Sequence, residues 1–342
     1  MKKDGVLCYI TPNTWLAIKS CTKLRKYILK ECGVAFIDDY YESLFTASVN
    51  NVVFLLKRNY RTDSFKVNLH NQGNIKTFDI ETEDVLSRNE CEINVNADDE
   101  ALEIKRKMLS NSVSLGMIDG IEMCLGVQPY HNTLHTKQQM KEKFLHADYQ
   151  VNRNYIPEYG GKHFSQFSKL SSSSKWVDYS AEFYTKPDKR FFTGPRIVVR
   201  EIPSTTLICA YIEDFAIFNK SVFNIQSTNI PAKVLTAILN SKAVGYFISA
   251  FGDKSKQTLF PRISMKILKA IPIPVVPLRE ETLISALVDK AIIYSDNDFE
   301  NYQEQINRIN LIVNHLYGLS YQDLLIIDPE TTITQEEYNS HE

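Results

Sequence analysis

The sequence predicts an α/β segment followed by an α+β segment that ends in a helical hairpin, and three patterns support this. Residues 4–58 alternate strand, helix, strand, strand; residues 194–226 hold short apolar runs divided by turn residues; the stretch from Glu280 to Leu319 holds two runs with apolar residues at helical spacing. At 342 residues the chain is long enough for two ordinary domains.

The first strand is "GVLCYIT", and "NTWLAIKSCTKLRKYILKEC" follows as a helix with Asn13 or Thr14 as N-cap after Pro12 and Gly33 as its stop. "VAFIDDYYE" and "NNVVFLLKR" read as two more strands, and their continuous apolar runs predict a sheet covered on both faces. Residues 61–110 turn polar, with one alternating strand "FKVNLHN" and a charged helical run "DDEALEIKRKML", and read as a connector with minor structure. Hydrophobic patterning resumes near Gly116, and "EYGGKHFSQFSKLSSSSKW" reads as an exposed loop.

Residues 194–226 read as a β-meander, "GPRIVVREI", "TTLICAYIE" and "FAIFNKSVFNI". "PAKVLTAILNSKAVGYFISAFG" reads as one amphipathic helical stretch after Asn229 and Pro231, and the prolines of "LKAIPIPVVPL" hold that segment extended. "EETLISALVDKAIIY" and "NYQEQINRINLIVNHLYGL" form the hairpin, with Ile306, Ile309, Val313 and Leu316 on one face and Gly318 as the stop. The tail after Pro329 reads as disordered.

Net charge of −2 argues against a protein that coats nucleic acid indiscriminately, although a local basic face is compatible with it. The six cysteines form no C-x-x-C pair, so neither a zinc knuckle nor a redox dithiol is written here, and a reduced cytoplasm is the simplest compartment. No apolar run has the length of a membrane span, and no signal peptide is readable.

Residues 1–58 resemble the distal half of the catalytic domain of TaqI-type N6-adenine DNA methyltransferases, including the type IIG restriction-modification enzymes. The resemblance lies in "GVLCYITPNTWL", "KLRKYIL", "SLFTASV" and "NNVVFLLKR". The second half resembles the TaqI-like C-terminal specificity domain through "WVDYS", "GPRIVVREI", "AILNSKAVGYFI", "FPRISMKILKAIPIP" and "LYGLSYQDLLIID". The resemblance implies the distal part of a class I methyltransferase sheet over 1–60, a connector over 61–110, a DNA target-recognition domain over 111–276, the helical hairpin over 277–328 and a disordered tail over 329–342. It implies double-stranded DNA as partner and a bacterial or archaeal cytoplasm as location.

In that family the strand beginning Gly5-Val6-Leu7 is the fifth of seven, so Met1 looks internal. The half that binds S-adenosylmethionine and carries an Asn/Asp-Pro-Pro-Tyr tetrapeptide is expected before it. None of the twelve prolines adjoins another, and no two of the twelve glycines make a Gly-x-Gly, so neither feature is in this sequence. The expectation is a chain that binds no S-adenosylmethionine alone, lacks a complete catalytic set, and works with a chain supplying the missing half. The alternatives are a stand-alone DNA-recognition module without catalysis and a decayed gene fragment.

N6-adenine methylation requires the base to leave the stack, and the resemblance assigns the second stacking aromatic to Phe45, against a plain core role. Candidate DNA contacts are Lys162, Lys169 and Lys175 in the serine-rich loop, Arg196 and Arg200 on the first meander strand, and Lys254, Lys256 and Arg262 before the proline segment. The loop 252–262 is favoured among them because it is polar, basic and pinned by Phe260 and Pro261. His131 and His135 stand four apart without a third ligand in reach, so their spacing reads as chance and no metal is expected. Tyr40, Tyr41 and Tyr130 read as partly buried tyrosines rather than base-stacking ones.

Overall fold

The structure, a computed structural model, describes residues 2, 5–40, 51–71, 74–95, 99–251 and 262–340. The chain divides into two compact units, Met1–Arg106 with Ser249–Arg262, and Lys107–Ile248 with Ile263–Glu342.

In the first unit, β1 (Val6–Pro12), β2 (Val34–Tyr40), β3 (Asn51–Lys57), β4 (Ser64–Asn71) and β5 (Asn74–Glu81) form one sheet in the order β1-β3-β2-β4-β5. β3 runs antiparallel to both β1 and β2, β2 pairs in parallel with β4, and β5 turns back along β4. The stretch expected to be a connector therefore supplies two full strands to this sheet. Its alternation was diluted by charged residues because β5 is a sheet edge.

The expected helix over 13–32 is broken into a 3-10 turn at Asn13–Leu16, a second at Lys19–Cys21, α1 (Thr22–Tyr27) and a wider final turn at Ile28–Cys32. Neither Asn13 nor Thr14 caps it; Pro12 precedes the first turn without a side-chain bond. Arg25 explains the break. Its guanidinium is fully buried and donates to the carbonyls of Trp15, Glu90 and Cys91 and to that of Ile18, which also accepts from the Cys21 amide, so it gathers carbonyls of which two, those of Trp15 and Ile18, a continuous helix would have bonded within itself. Gly33 ends the run with φ +67°, where a Cβ would lie 1.5 Å from the Tyr60 carbonyl oxygen, so glycine is required there.

The core lies on one face of the sheet: Val34, Ile37, Val52, Phe54, Leu56, Phe65, Val67 and Ile80 pack with Trp15, Leu16, Ile28, Leu29 and with Val85 of α2 (Thr82–Ser87). The opposite face is less covered than the apolar runs predicted. Val6, Cys8 and Ile10 are exposed, and Phe36, Val53 and Leu55 are half-buried. The division between the units falls inside α3 (Asp99–Ser110).

In the second unit, β6 (Ser112–Ser114) leads to β7 (Ile121–Leu125); α4 (Lys137–Glu142), β8 (His146–Ala147), β9 (Tyr155–Tyr159) and β10 (Trp176–Asp178) follow, and then β11 (Arg196–Arg200), β12 (Cys209–Ile212), β13 (Ile217–Phe218) and β14 (Val222–Ser227). The expected meander is only partly realised. β12, β11, β14 and β7 make one antiparallel sheet, whereas β13 leaves to pair in parallel with β9 in a second sheet, β13-β9-β10-β8.

The single helix expected after Pro231 is two helices, α5 (Ala232–Asn240) and α6 (Lys242–Phe251), bent by 58° at Ser241. The bend has a cause in side chains. Asn240 donates to and accepts from the backbone of Cys209, completing the edge of β12, and the Ser241 hydroxyl accepts from the Val244 amide to start α6. No single described helix is long and apolar enough to cross a membrane.

After α7 (Met265–Ala270) the proline segment forms β15 (Pro272–Pro274), paired with β6. α8 (Leu278–Tyr294) and α9 (Phe299–Leu316) pack on each other as the expected hairpin, with Gly318 at φ +66° as the stop. α10 (Tyr321–Ile327) follows, and the tail expected to be disordered forms α11 (Gln335–Asn339). Thr334 and Glu337 cap α11 reciprocally, and Tyr338, 2 % exposed, packs on Leu311 and Leu324 and donates to the Leu319 carbonyl. Three residues, Thr334, Glu337 and Tyr338, thus order a tail whose polar composition hid it.

Candidate nucleic-acid interface

The serine-rich segment after β9 is tied down at several points. The Ser171 amide and hydroxyl both donate to the His163 carbonyl, and the Ser165 amide donates to the Ser168 hydroxyl, so the loop closes on itself. The Gln166 amide donates to Thr206 Oγ1, to the Leu207 carbonyl and to the Asn240 carbonyl, and Tyr302 of α9 donates to the Gln166 carbonyl at 2.8 Å. Beneath it, Arg200 donates to the Phe164 carbonyl and stacks on the Phe164 ring. His163 is buried, its Nδ1 accepts from the Gly160 amide at 2.8 Å, and burial pushes its pKa below the ordinary imidazole value.

Opposite stands the turn from α8 into α9. Asp298 caps α9 through the Asn301 amide, and the Asn301 side chain bonded to it holds its carboxyl below the usual range. Phe299, the first residue of α9, is 79 % exposed. Loop and turn enclose an open cleft of about 890 Å³ with Lys162 and Lys169 on one wall and Asp296, Asp298, Phe299 and Tyr302 on the other. Exposed ammonium groups suit phosphate, a bare aromatic face suits a base, and an exposed carboxylate suits a base amino group.

The remaining predicted residues distribute unevenly. Lys175 is exposed beside β10 and outside the cleft lining. Arg196 is a correction: it is fully buried, donates to the Gly194 and Ala216 carbonyls, and has its pKa pushed down to about 10 by burial, so it holds the loop ends together and meets no solvent. Arg200 is likewise turned inward, and burial lowers its pKa. Arg262 is exposed. Phe45, Tyr41, Lys254 and Lys256 lie outside the described residues.

His131 stacks on Tyr184 while His135 meets Tyr130 and Phe144, and among the described residues no three metal-ligating side chains converge. Tyr40 stacks on His70, and the Tyr130 hydroxyl bonds His146.

Phe299 and Tyr302 were missed by sequence reasoning. A single apolar residue inside the polar run "SDNDFENY" was the available signal for the first. Tyr302 carried none, since its partner Gln166 is 136 residues away.

Two stretches of the sequence, and the overall architecture, are similar to parts of restriction-modification enzymes. Residues 156–273 match the TaqI-like C-terminal specificity domain, a range that includes the loop with both cleft lysines. Residues 1–45 match the Eco57I restriction-modification methylase. Over these two stretches the chain is similar to the specificity domain and to the methylase of restriction-modification systems.

Among solved structures, the type IIL restriction-modification enzyme MmeI in complex with DNA is similar over 99 % of this chain and 50 % of its own, at 10 % identity and TM-score 0.57. The type IIG restriction endonuclease BpuSI is similar over 93 % and 48 %, at 11 % identity and TM-score 0.42. The chain spans about half the length of each. No curated protein matches the sequence.

Proposed function

We propose that this chain reads a DNA target for an adenine-specific, N6-directed methyltransferase of a restriction-modification system, as the C-terminal part of that enzyme. The observation that carries the reading is the coincidence of the specificity-domain match with the cleft: Lys162 and Lys169 lie within residues 156–273 and face it. In this reading the two lysines and Lys175 hold phosphates, Phe299 stacks on a base, and Asp296 accepts from a base amino group. Lys254, Lys256 and Arg262 are further phosphate contacts in this reading, and Phe45 stacks on the extrahelical adenine.

Methylases of this kind use S-adenosylmethionine as methyl donor. β1 ends on Thr11 and Pro12 and leads straight into the 3-10 turn Asn13–Leu16, which holds no glycine to let backbone amides approach a ligand, and Pro12 has no N–H. That turn offers the cofactor no glycine-rich cradle, and its binding belongs in this reading to the complementary half.

A salt series of duplex binding by fluorescence anisotropy tests the reading. Replacing Lys162 and Lys169 together by Ala lowers the slope of log affinity against log salt by somewhat under two, at about 0.9 per phosphate contact. An unchanged slope and affinity would move the DNA face away from this cleft.

A further inference from the structure

The helical segment between β1 and β2 has two chemically opposite faces. Arg25, Ile28, Leu29 and Cys32 are buried, and the last three belong to the core of the first unit. Lys23, Lys26 and Lys30 recur at intervals of three and four residues and are all exposed, so they share the face turned from that core. Tyr27, which neighbours both Lys23 and Lys30 at helical spacing, is 61 % exposed.

Five other basic side chains of this unit each stand near a carboxylate. Lys66 pairs with Asp79, Lys76 with Glu100, Arg88 with Asp84 and Arg106 with Glu103, and Lys19 lies 3.8 Å from Glu90. Lys23, Lys26 and Lys30 have no such partner among the described residues. Glu31 is the one acidic residue of the segment from Lys19 to Cys32, and it adjoins Lys30 in sequence rather than at the spacing that faces it. Like charges three and four residues apart destabilise a helix, so this face is set against its own stability and a bound polyanion would relieve it.

What the face offers defines its occupant. Three ammonium groups and a phenol hydroxyl call for a row of negatively charged acceptors. From Lys23 to Lys30 the segment rises about 10 Å, roughly the axial rise of three nucleotides of one DNA strand at about 3.4 Å each. A lipid surface fits less well: the apolar residues that would enter it, Ile28 and Leu29, are in the core, and only Leu24 and Tyr27 remain outside. Ammonium groups in a row hold phosphates without fixing the geometry that reads a base edge.

We infer that Lys23, Lys26, Tyr27 and Lys30 form a sequence-neutral seat on the first unit for the phosphate backbone of duplex DNA. The inference goes beyond the reading above, because it concerns DNA of any sequence and residues outside the specificity-domain match.

A salt series of anisotropy measurements on the full chain, with two unrelated mixed-sequence duplexes as probes, tests it. Lys23→Ala, Lys26→Ala and Lys30→Ala combined are expected to weaken binding to both duplexes equally, by about tenfold or more at low salt. The slope of log affinity against log salt falls by somewhat under three, at about 0.9 per phosphate contact. Replacing the same three by Arg keeps affinity and slope, because the charge remains. Lys66→Ala with Lys76→Ala, at lysines that already have carboxylate partners, leaves the slope unchanged.

All five positions are exposed and alanine favours helix, so the fold is expected to persist, which circular dichroism checks. An unchanged slope in the triple Ala variant, a loss confined to one duplex, or an equal loss in the Lys66 and Lys76 variant would each overturn the inference. Tighter binding to phosphatidylserine vesicles than to DNA at equal phosphate concentration would overturn it in favour of a membrane surface. If Lys162→Ala with Lys169→Ala proves silent while the triple variant loses affinity, the cleft reading falls and this one stands; the reverse outcome sinks only this one.

Discussion

The first unit buries one face of a five-stranded sheet and leaves an apolar strip on the other, while the second unit closes its apolar surface with two sheets, the helices α5, α8 and α9, and a tail helix. The difference lies in how each completes its backbone. In the first, a charged side chain, Arg25, satisfies four carbonyls of irregular backbone and stands in for a continuous helix. In the second, Arg196 and Arg200 also bind carbonyls, but neutral amides and hydroxyls such as Gln166, Asn240 and Ser241 fasten most of the loops and helix ends described above, while Lys162 and Lys169 line the cleft.

The comparison breaks most visibly at Arg25. Arg25→Leu strands buried carbonyls and is expected to cost the first unit about 3–4 kcal/mol. Hydrogen exchange then shows lost protection for β2 and β3 amides with β11 and β14 unchanged; uniform loss would mean the two units unfold together. Tyr338→Ala is the counterpart in the second unit, at about 3 kcal/mol for the cavity between Leu311 and Leu324 together with the lost bond to Leu319. Urea unfolding followed near α9 reads it, and an unchanged midpoint would mean α11 adds nothing to stability.

Phe299→Ala leaves stability untouched because the ring is exposed, yet weakens duplex binding by about 1–3 kcal/mol if the ring stacks on a base. Equal affinity in anisotropy would leave the cleft to its lysines alone.

The smallest effect concerns pH. Burial holds the native His163 pKa below the unfolded value of 6.5, so below that pH the unfolded chain binds the extra proton. Stability of the second unit is full above pH 6.5 and falls as pH drops toward the native pKa. His163→Gln flattens that stretch of the profile, and a profile identical to wild type would show that another group controls it.

β1, β2, β3, β11 and the α8–α9 hairpin were legible in the residues alone, because each rests on local periodicity and on stops such as Gly33 and Gly318 that act over a few residues. The sequence also placed Lys162 and Lys169 in one loop. It did not distinguish them from Arg196, since a charge on an alternating strand looks the same whether it faces solvent or two carbonyls. It took the folded chain to show that β4 and β5 join the first sheet, that β13 leaves the meander, that Asn240 bends a helix, that Tyr338 orders the tail, and that Tyr302 and Phe299 face the serine-rich loop. Each of those depends on partners far apart in the chain, such as Asn240 with Cys209 or Tyr302 with Gln166, and long-range pairing leaves no periodic trace in the residues between them.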